Sequence, residues 1–156
     1  MSDIELLLRY TKKLSVLYVE DEALVRNSTL TLLNNYFERI DFAVDGQDGF
    51  EKYINYKNEH SEYYDLIITD IKMPRLNGLD MSRKILKEND MQTIIITTGY
   101  SDNIFLLEAI DLGIHSFISK PIGKAKKLNK ALYKASRAIS DHKFVKEHYE
   151  TIEKLK

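Results

Sequence analysis

The 156-residue sequence has no cysteine, no tryptophan, only two prolines and only six glycines. Without cysteine the chain can form no disulfide and can offer no thiolate to a metal, which excludes disulfide-stapled domains and cysteine zinc sites. The sequence also lacks an apolar run long enough to cross a membrane, and its start, MSDIELLLRY, lacks the order of a secretory signal. We therefore expect a cytoplasmic protein that makes no membrane contact.

The chain also has little net charge, because 23 basic and 24 acidic residues leave −1 at pH 7. This balance gives no overall attraction to nucleic acid, and we expect no direct nucleic-acid binding. A hydrophobic content of 44% over this length is enough for one domain with a proper core, whereas a second full domain does not fit.

Short apolar runs alternate with longer segments of helical period along the chain. The three clearest runs are apolar at consecutive positions, which is typical of strands covered on both faces. The predicted strands are 15–19, 40–44, 65–69, 93–97 and 115–119, and the predicted helices between them are 23–36, 48–56, 78–87 and 102–112. This alternation predicts an α/β fold with a doubly wound, five-stranded parallel sheet and right-handed crossovers.

Polar side chains follow four of the five predicted strands. They are Glu20, Asp21 and Glu22 after the first strand, Asp70 after the third, Thr97 and Thr98 at the fourth, and Lys120 and Pro121 after the fifth. Loops after the carboxyl ends of parallel strands surround the functional crevice of such a sheet. We therefore expect these side chains to meet at one edge.

Each of these residues has an ordinary structural interpretation when it is considered alone. Asp21 or Glu22 could cap the next helix, and Asp70 could be a turn residue. Thr98 could be an ordinary loop hydroxyl, and Lys120 a solvated surface lysine. The combination favours a functional site, because separate strand ends supply carboxylates, a hydroxyl and an ammonium to one crevice.

The chemistry of this set points to phosphoryl transfer. Carboxylates held close together repel one another unless they share a cation. Ligation by a few oxygen atoms suits Mg²⁺, which keeps several waters and often binds one or two carboxylates together with a phosphate. A carboxylate oxygen can also attack phosphorus, and a metal, a lysine and a hydroxyl can then neutralise the phosphoryl oxygens. The residues therefore predict that Asp70 becomes phosphorylated.

Four ordered segments carry a resemblance to a known family: VLYVEDE (16–22), LIITDIKMPRLNG (66–78), IIITTGY (94–100) and FISKP (117–121). Over residues 14–137 the chain resembles the receiver domain of two-component response regulators, including the chemotaxis regulators. The resemblance implies a flavodoxin-like fold with strand order 2-1-3-4-5. It also implies a phosphoprotein that receives its phosphoryl group from a sensor histidine kinase or a phosphotransfer protein of a phosphorelay.

The resemblance also implies a role for each site residue. Asp70 would accept the phosphoryl group, Lys120 would pair with that group, and Thr98 would donate its hydroxyl to it. Thr98 is favoured over Thr97 because Gly99 follows it, as the family pattern requires. The implied Mg²⁺ ligands are Asp21, Asp70, Glu20 acting through water, and the backbone carbonyl of Lys72.

The family's switching mechanism would involve two of these positions. Thr98 would move toward the phosphoryl group while Phe117 turns inward, which remodels the surface of the receiver's fourth helix, fifth strand and fifth helix. An output domain or a partner protein would distinguish the two surfaces. Phe117 also has a plain interpretation as strand core. Lys72 and Tyr100 lie two positions beyond Asp70 and Thr98, where bulky side chains are expected to slow dephosphorylation.

Both ends of the chain extend beyond a minimal receiver. Residues 1–13 carry an apolar stripe and a candidate cap at Ser2 or Asp3, which predicts an extra helix packed on the domain or on a second copy. No proline or glycine interrupts residues 124–156, and one helix of that length would run roughly 50 Å, so part of it should project. We interpret residues 138–156 as a helix folded back, as an arm of a homodimer, or as a linker to an output domain, with the last two favoured.

Three other classes of protein fit the sequence less well. An aspartyl phosphatase or phosphotransferase usually has a second acid two residues after its nucleophile, where Lys72 stands. A dinucleotide-binding enzyme needs a glycine-rich turn after the first strand, where this chain has EDEALVR. The alternative of a receiver that only docks or dimerises, without phosphorylation, would not need all the site residues. We therefore predict a phosphoacceptor that is not an enzyme beyond the transfer onto Asp70 and its later hydrolysis.

Overall fold

The computed structural model describes residues 1–114, 116–123 and 125–156, and it describes Tyr100 only in its backbone. The strands are β1 (Ser15–Val19), β2 (Arg39–Ala43), β3 (Leu66–Asp70), β4 (Thr93–Thr98) and β5 (Ser116–Ser119). The helices are α1 (Asp3–Thr11), α2 (Ala23–Leu33), α3 (Gly46–His60), α4 (Gly78–Glu88), α5 (Asn103–Asp111), α6 (Ala125–Glu147) and α7 (Tyr149–Lys154), with a 3₁₀ turn, Tyr100–Asp102, before α5. The predicted strand 115–119 and the predicted helix 124–156 each start at a residue outside the described part, His115 and Lys124.

The five strands run parallel in one sheet with the order β2–β1–β3–β4–β5. This order confirms the predicted doubly wound α/β fold of the flavodoxin type. The chain leaves β1 toward β2 on one side and returns to β3 on the other, so the order reverses between β1 and β3. The carboxyl ends of these two strands therefore flank the crevice where such sheets bind ligands.

Helices cover both faces of the sheet and form two apolar cores. The first core joins the sheet to α1, α2 and α6, and the second joins it to α3, α4 and α5. Successive residues of β1 alternate between them, since Val16 and Tyr18 enter the first core and Leu17 and Val19 the second. Burial on both faces explains why β1 and β3 are continuous apolar runs in the sequence.

The extra N-terminal helix, α1, packs on the domain. Ser2 caps it by accepting a hydrogen bond from the Glu5 N–H at 3.2 Å. Leu7 and Leu14 are buried in the first core, to which α6 also contributes. Thr11 Oγ1 donates to the Tyr36 carbonyl at 2.8 Å, which fixes the end of α1 to the loop after α2.

Three strands differ from the prediction by one residue at one or both ends. β4 continues to Thr98, whereas the predicted strand ended at Thr97. β3 includes Asp70, because the ladder with β4 continues to a pair between Asp70 and Thr97. The phosphoacceptor candidate is therefore the last residue of the strand and not the first residue of the loop. β2 begins at Arg39 and ends at Ala43, in register with the whole of β1.

The helix boundaries were predicted less accurately than the strand boundaries. α3 starts at Gly46, before the predicted 48–56, because Asp45 caps it by accepting a hydrogen bond from the Asp48 N–H at 2.8 Å, and it continues to His60. α2 ends at Leu33 instead of continuing to Tyr36, since Tyr36 and the next residue leave the helix to enter the first core. Gly113, with φ of 96°, ends α5 as predicted.

The C-terminal segment is not one straight helix. α6 ends at Glu147, His148 departs from helical torsion angles (φ −113°, ψ 16°), and α7 follows. Residues 140–151 are exposed, so no packing holds the helix straight at this point. α6 is 23 residues long, but within the described ranges no helix combines the length and the apolar character that a membrane crossing requires.

Candidate functional site

The ends of β1 and β3 bring three acidic side chains together. Carboxylate oxygens of Glu20, Asp21 and Asp70 lie within 4.8 Å of one another. Glu20 is fully buried, Asp70 is 6% exposed, and Asp21 is partly covered. The neighbouring Glu22 occupies the N-cap position of α2 but makes no side-chain cap bond. Glu20, Asp21 and Asp70 therefore meet in one cluster, and Glu22 does not cap α2 through its side chain.

Lys120, from the loop after β5, supplies a cation to this cluster. Its Nζ donates to Asp70 Oδ2 at 2.6 Å and lies 3.4 Å from Glu20 Oε2. Its backbone N–H donates to the Thr98 carbonyl at 2.7 Å, which joins the ends of β5 and β4. A solvated surface lysine would make neither of the two side-chain contacts.

Asp70 is held by donors on both of its oxygens. Oδ1 accepts a hydrogen bond from the Ile71 N–H at 2.8 Å, while Oδ2 accepts the bond from Lys120. The first bond is the one expected of a turn residue. The second is not, and it keeps the carboxylate beside a positive charge at the open end of the strand.

Burial and neighbouring charges shift the pKa values of Glu20 and Lys120. Burial and the negative charge of Asp70 raise the pKa of Glu20 to about 7, although Lys120 opposes this. Burial alone would lower the pKa of Lys120, but its hydrogen bond to Asp70 and the charges of both acids raise it above its ordinary value. Three carboxylates around one ammonium leave an excess of negative charge that a bound cation would offset.

The shift at Glu20 predicts a pH dependence of stability when divalent cations are removed. A carboxyl whose pKa rises on folding binds its proton more tightly in the native state, so stability falls as pH rises from about 4.3 toward about 7. Lys120 adds no pH dependence in this window. Its raised pKa makes stability change only above its unfolded pKa of about 10.4. Urea unfolding in EDTA between about pH 5 and pH 8 should show a fall on the order of 2 kcal/mol beyond that of Glu20→Gln. If the free energy of unfolding changed with pH in the same way in the parent and in Glu20→Gln, the fall could not be assigned to Glu20.

Gly78 allows the loop after β3 to fold back onto Asp70. Its N–H donates to the Ile71 carbonyl at 2.7 Å. A Cβ at this position would lie 1.8 Å from the carbonyl oxygen of Asp70, so no other residue fits without a shift of the loop. Asn77 then caps α4 by accepting a hydrogen bond from the Asp80 N–H at 2.8 Å.

The side chain of Lys72 bridges two loops of the site. Its Nζ donates to Ser101 Oγ at 2.9 Å and lies 4.0 Å from Asp102 Oδ1. Asp102 in turn accepts a hydrogen bond from the Gly99 N–H at 2.7 Å. The loop after β3 is thus connected to the turn after β4. The ligand role of the Lys72 carbonyl stays a prediction, and the Tyr100 side chain lies outside the described residues.

The two threonines at the end of β4 differ in accessibility. Thr97 is fully buried and its Oγ1 lies 3.4 Å from the Thr69 carbonyl, whereas Thr98 is partly exposed. Thr98 and Phe117 line one groove of about 420 Å³ between β5 and α6. Phe117 is partly buried and packs against the second core. Thr98 is thus the more accessible of the two hydroxyls, and its role stays a prediction, while Phe117 lies between core and groove.

Sequence reasoning missed residues that support the site from outside. Arg26 on α2 donates from its guanidinium to the Glu20 carbonyl at 2.9 Å and approaches the Asp21 carbonyl at 3.4 Å. The sequence signal that could have identified Arg26 was its position shortly after the acidic residues 20–22. Asp45 and Arg75 form an ion pair, for which the sequence offers no signal because Arg75 lies within a loop instead of at the end of a strand and the partners are 30 residues apart.

The sheet order, the acidic cluster at the ends of β1 and β3, and the lysine after β5 define a receiver domain. A family model described as response regulator receiver domain matches residues 16–133. The chain therefore belongs to the response regulator receiver family. The matched range lies inside the predicted domain of residues 14–137, whose exact limits stay a prediction.

Relatives agree with this assignment. Response regulator ArlR of Staphylococcus aureus is 39% identical over 107 residues, which cover 68% of this chain and 45% of ArlR. The chain thus spans about half the length of the curated relatives it matches. It is a receiver domain of a two-component response regulator.

Solved structures are similar as well. A response regulator receiver domain protein from Clostridium thermocellum has a TM-score of 0.68 at 27% identity, covering 85% of this chain and 99% of that one. The N-terminal domain of an uncharacterized protein from Wolinella succinogenes has a TM-score of 0.69 at 33% identity, covering 84% and 99%.

Proposed function

We propose that this receiver domain accepts a phosphoryl group on Asp70 and that phosphorylation switches it between two states. The 2.6 Å contact between Asp70 Oδ2 and Lys120 Nζ, inside the acidic cluster, carries this proposal. It places a charged carboxylate at the mouth of the crevice beside an ammonium that can neutralise a phosphoryl oxygen.

The transfer needs one nucleophile and little other covalent chemistry. A carboxylate oxygen of Asp70 attacks the phosphorus of a phosphohistidine, and an O–P bond forms as the P–N bond breaks. The electron pair stays on the imidazole nitrogen, which leaves as neutral imidazole when the other ring nitrogen carries a proton. Lys120 then exchanges Asp70 Oδ2 for a phosphoryl oxygen. Later attack of water on the phosphorus releases inorganic phosphate and restores the carboxylate.

The acidic cluster fits a divalent cation, and we assign it to Mg²⁺. Its carboxylates are close together, and burial together with the negative charge of Asp70 raises the pKa of Glu20. Asp21 and Asp70 would bind the ion directly, Glu20 through water, and Lys72 through its backbone carbonyl. Bound there, Mg²⁺ would neutralise the charge on the transferred phosphoryl oxygens.

The switch is assigned to Thr98 and Phe117. The hydroxyl of Thr98 would donate to the phosphoryl group, and the movement of Thr98 would let Phe117 turn inward from the groove that both residues line. Because α1 precedes the receiver core, the receiver's fourth helix, fifth strand and fifth helix are α5, β5 and α6 here. Phosphorylation would shift the population between two forms of this surface, which an output domain or partner protein reads.

We assign the phosphoryl donor to a sensor histidine kinase or a phosphotransfer protein in the cytoplasm. The receiver would act on no substrate other than its own aspartate, so its catalysis is limited to that transfer and to autodephosphorylation.

Intact-mass spectrometry after incubation with acetyl phosphate or phosphoramidate tests the proposal. The parent chain should gain one phosphoryl group, the gain should require Mg²⁺, and fragmentation should place the group on Asp70. No adduct, together with no binding of beryllofluoride as a phosphoryl mimic, would contradict the proposal and favour the docking module.

Lys72 and Tyr100 should slow the loss of the phosphoryl group by restricting access of water. A Lys72→Ala, Tyr100→Ala variant should dephosphorylate up to roughly tenfold faster, which corresponds to about 1.4 kcal/mol of the barrier. Loss of the adduct with time, followed by intact mass, measures this rate, and Lys87→Ala on the exposed face of α4 is the control. A double variant as slow as the parent would exclude shielding by these side chains.

A further inference from the structure

The loop between β3 and α4, residues 71–77, is attached to the start of α3 at two consecutive residues. Arg75 Nε donates to Asp45 Oδ2 at 2.5 Å, and a second guanidinium nitrogen contacts the same oxygen. The Leu76 carbonyl accepts a hydrogen bond from the Gly46 N–H at 3.0 Å. This loop carries Lys72 and follows Asp70 directly.

This attachment leaves the loop 71–77 little conformational freedom. A Cβ at position 46 would lie 2.1 Å from the Leu76 carbonyl oxygen, so Gly46 lets the two backbones approach. Arg75 has φ of 66°, in the left-handed region that side chains other than glycine rarely adopt. The loop thus accepts an unfavourable backbone conformation at the residue that makes the ion pair.

Asp45 serves the helix and the loop with different oxygens. Oδ1 caps α3 by accepting the bond from the Asp48 N–H, and Oδ2 accepts the bonds from Arg75. The side chain of Asp45 is 4% exposed, whereas that of Arg75 is 63% exposed. Burial alone would raise the pKa of Asp45, but the bonds from Asp48 and Arg75 and the charge of Arg75 lower it. The pair is therefore charged at neutral pH.

We propose that Asp45 and Arg75 are positioning residues that fix the loop 71–77, and with it the Lys72 carbonyl, for Mg²⁺ binding at the Asp70 site. The inference rests on the function proposed above and adds a role for two residues that touch neither the ion nor the phosphoryl group. The bond from the Gly78 N–H to the Ile71 carbonyl joins the two ends of the loop to each other. With the ends joined, the ion pair fixes the loop between them against the start of α3.

Two single variants separate this role from helix capping. Asp45→Asn keeps an oxygen that can cap α3 and removes the charge that binds Arg75. Arg75→Gly removes the side chain and suits the left-handed backbone. Each should weaken Mg²⁺ binding by about tenfold, as substitution of residues that support metal ligands typically does. Phosphorylation by phosphoramidate at saturating Mg²⁺ should stay within about twofold of the parent, because Asp70, Lys120 and Thr98 are unchanged.

Titration of amide chemical shifts with Mg²⁺, using the full chain, measures the affinity, and amide spectra without Mg²⁺ check the fold. The double variant should bind Mg²⁺ no more weakly than the weaker single variant, since both changes break one interaction. Arg83→Ala, which removes an arginine paired with Asp80 and Glu108 instead of the loop, should bind like the parent.

The outcomes distinguish this inference from the proposed function. Unchanged Mg²⁺ affinity in both single variants, with or without a lower melting temperature, would overturn the positioning role and leave only a structural ion pair. A parent chain that binds no Mg²⁺ and gains no phosphoryl group would instead contradict the proposed function itself. Weaker Mg²⁺ binding in Asp45→Asn alone would also overturn the inference, because the loop-side partner would then be dispensable.

Discussion

Replacing Asp70 with asparagine should abolish the phosphoryl adduct, with a decrease of more than about 100-fold that is limited by detection. The amide oxygen of Asp70→Asn is a poor nucleophile, and the variant also lacks the negative charge that binds Lys120. Asparagine keeps the size of the side chain and an oxygen that can accept the bond from the Ile71 N–H. The fold should therefore be retained, and intact mass after incubation with phosphoramidate and Mg²⁺ measures the effect.

The control for this experiment is Asp80→Asn, which changes a carboxylate in the first turn of α4, directly after the same loop. It should gain the phosphoryl group at the parent's rate. An adduct of the same extent on Asp70→Asn would show that another group is phosphorylated, and Asp21 would be the first to examine because it belongs to the same cluster.

Replacing Lys120 with methionine should have a second large effect, on stability as well as on transfer. The ammonium lies between two carboxylates, and its removal leaves their repulsion uncompensated in a largely buried site. Breaking a buried pair costs about 3–5 kcal/mol, and since the Lys120 side chain is 26% exposed we expect about 2–3 kcal/mol. Urea unfolding in EDTA at neutral pH measures this loss, and Mg²⁺ should restore part of it.

A second substitution tests the cause of this instability. Adding Glu20→Gln to Lys120→Met removes one of the two repelling charges and should recover a large part of the lost stability. Lys134→Met, at an exposed position of α6, should leave stability within about 0.5 kcal/mol of the parent. A Lys120→Met variant as stable as the parent would show that the carboxylates do not depend on this cation. Phosphoryl transfer to Lys120→Met should also be slower, because no ammonium neutralises the phosphoryl oxygens.

The strand order was implied by the resemblance to receiver domains, whereas periodicity in the sequence was sufficient for the strands themselves and for the edge of the sheet where the site lies. Continuous apolar runs mark strands buried on both faces, and parallel topology then places Glu20, Asp21, Asp70 and Lys120 at one edge. These predictions depend only on local pattern and on chain direction, which the sequence contains.

Features that depend on contacts between distant residues could not be predicted in this way. The end of α2 depends on the burial of Tyr36 in the first core. The start of α3 is different, because its Asp45 cap is a local signal that the prediction overlooked. The bond from Lys72 to Ser101 and the ion pair between Asp45 and Arg75 join loops that the sequence separates by 29 and 30 residues. The bend at His148 lies in an exposed stretch, where no buried face continues the amphipathic pattern.

The length of α6 has a mechanical consequence. Its first half is buried against β4, β5 and α1, whereas residues from Asp141 onward are exposed. A helix of 23 residues is about 35 Å long, so a tilt of about 5° about its first residue would displace its far end by about 3 Å. The exposed end of α6 is also tethered, since Lys143 Nζ lies 2.9 Å from Asp65 Oδ1, directly before β3. The proposed phosphoacceptor therefore lies at one end of β3, and the partner of the projecting end of α6 lies directly before the other end.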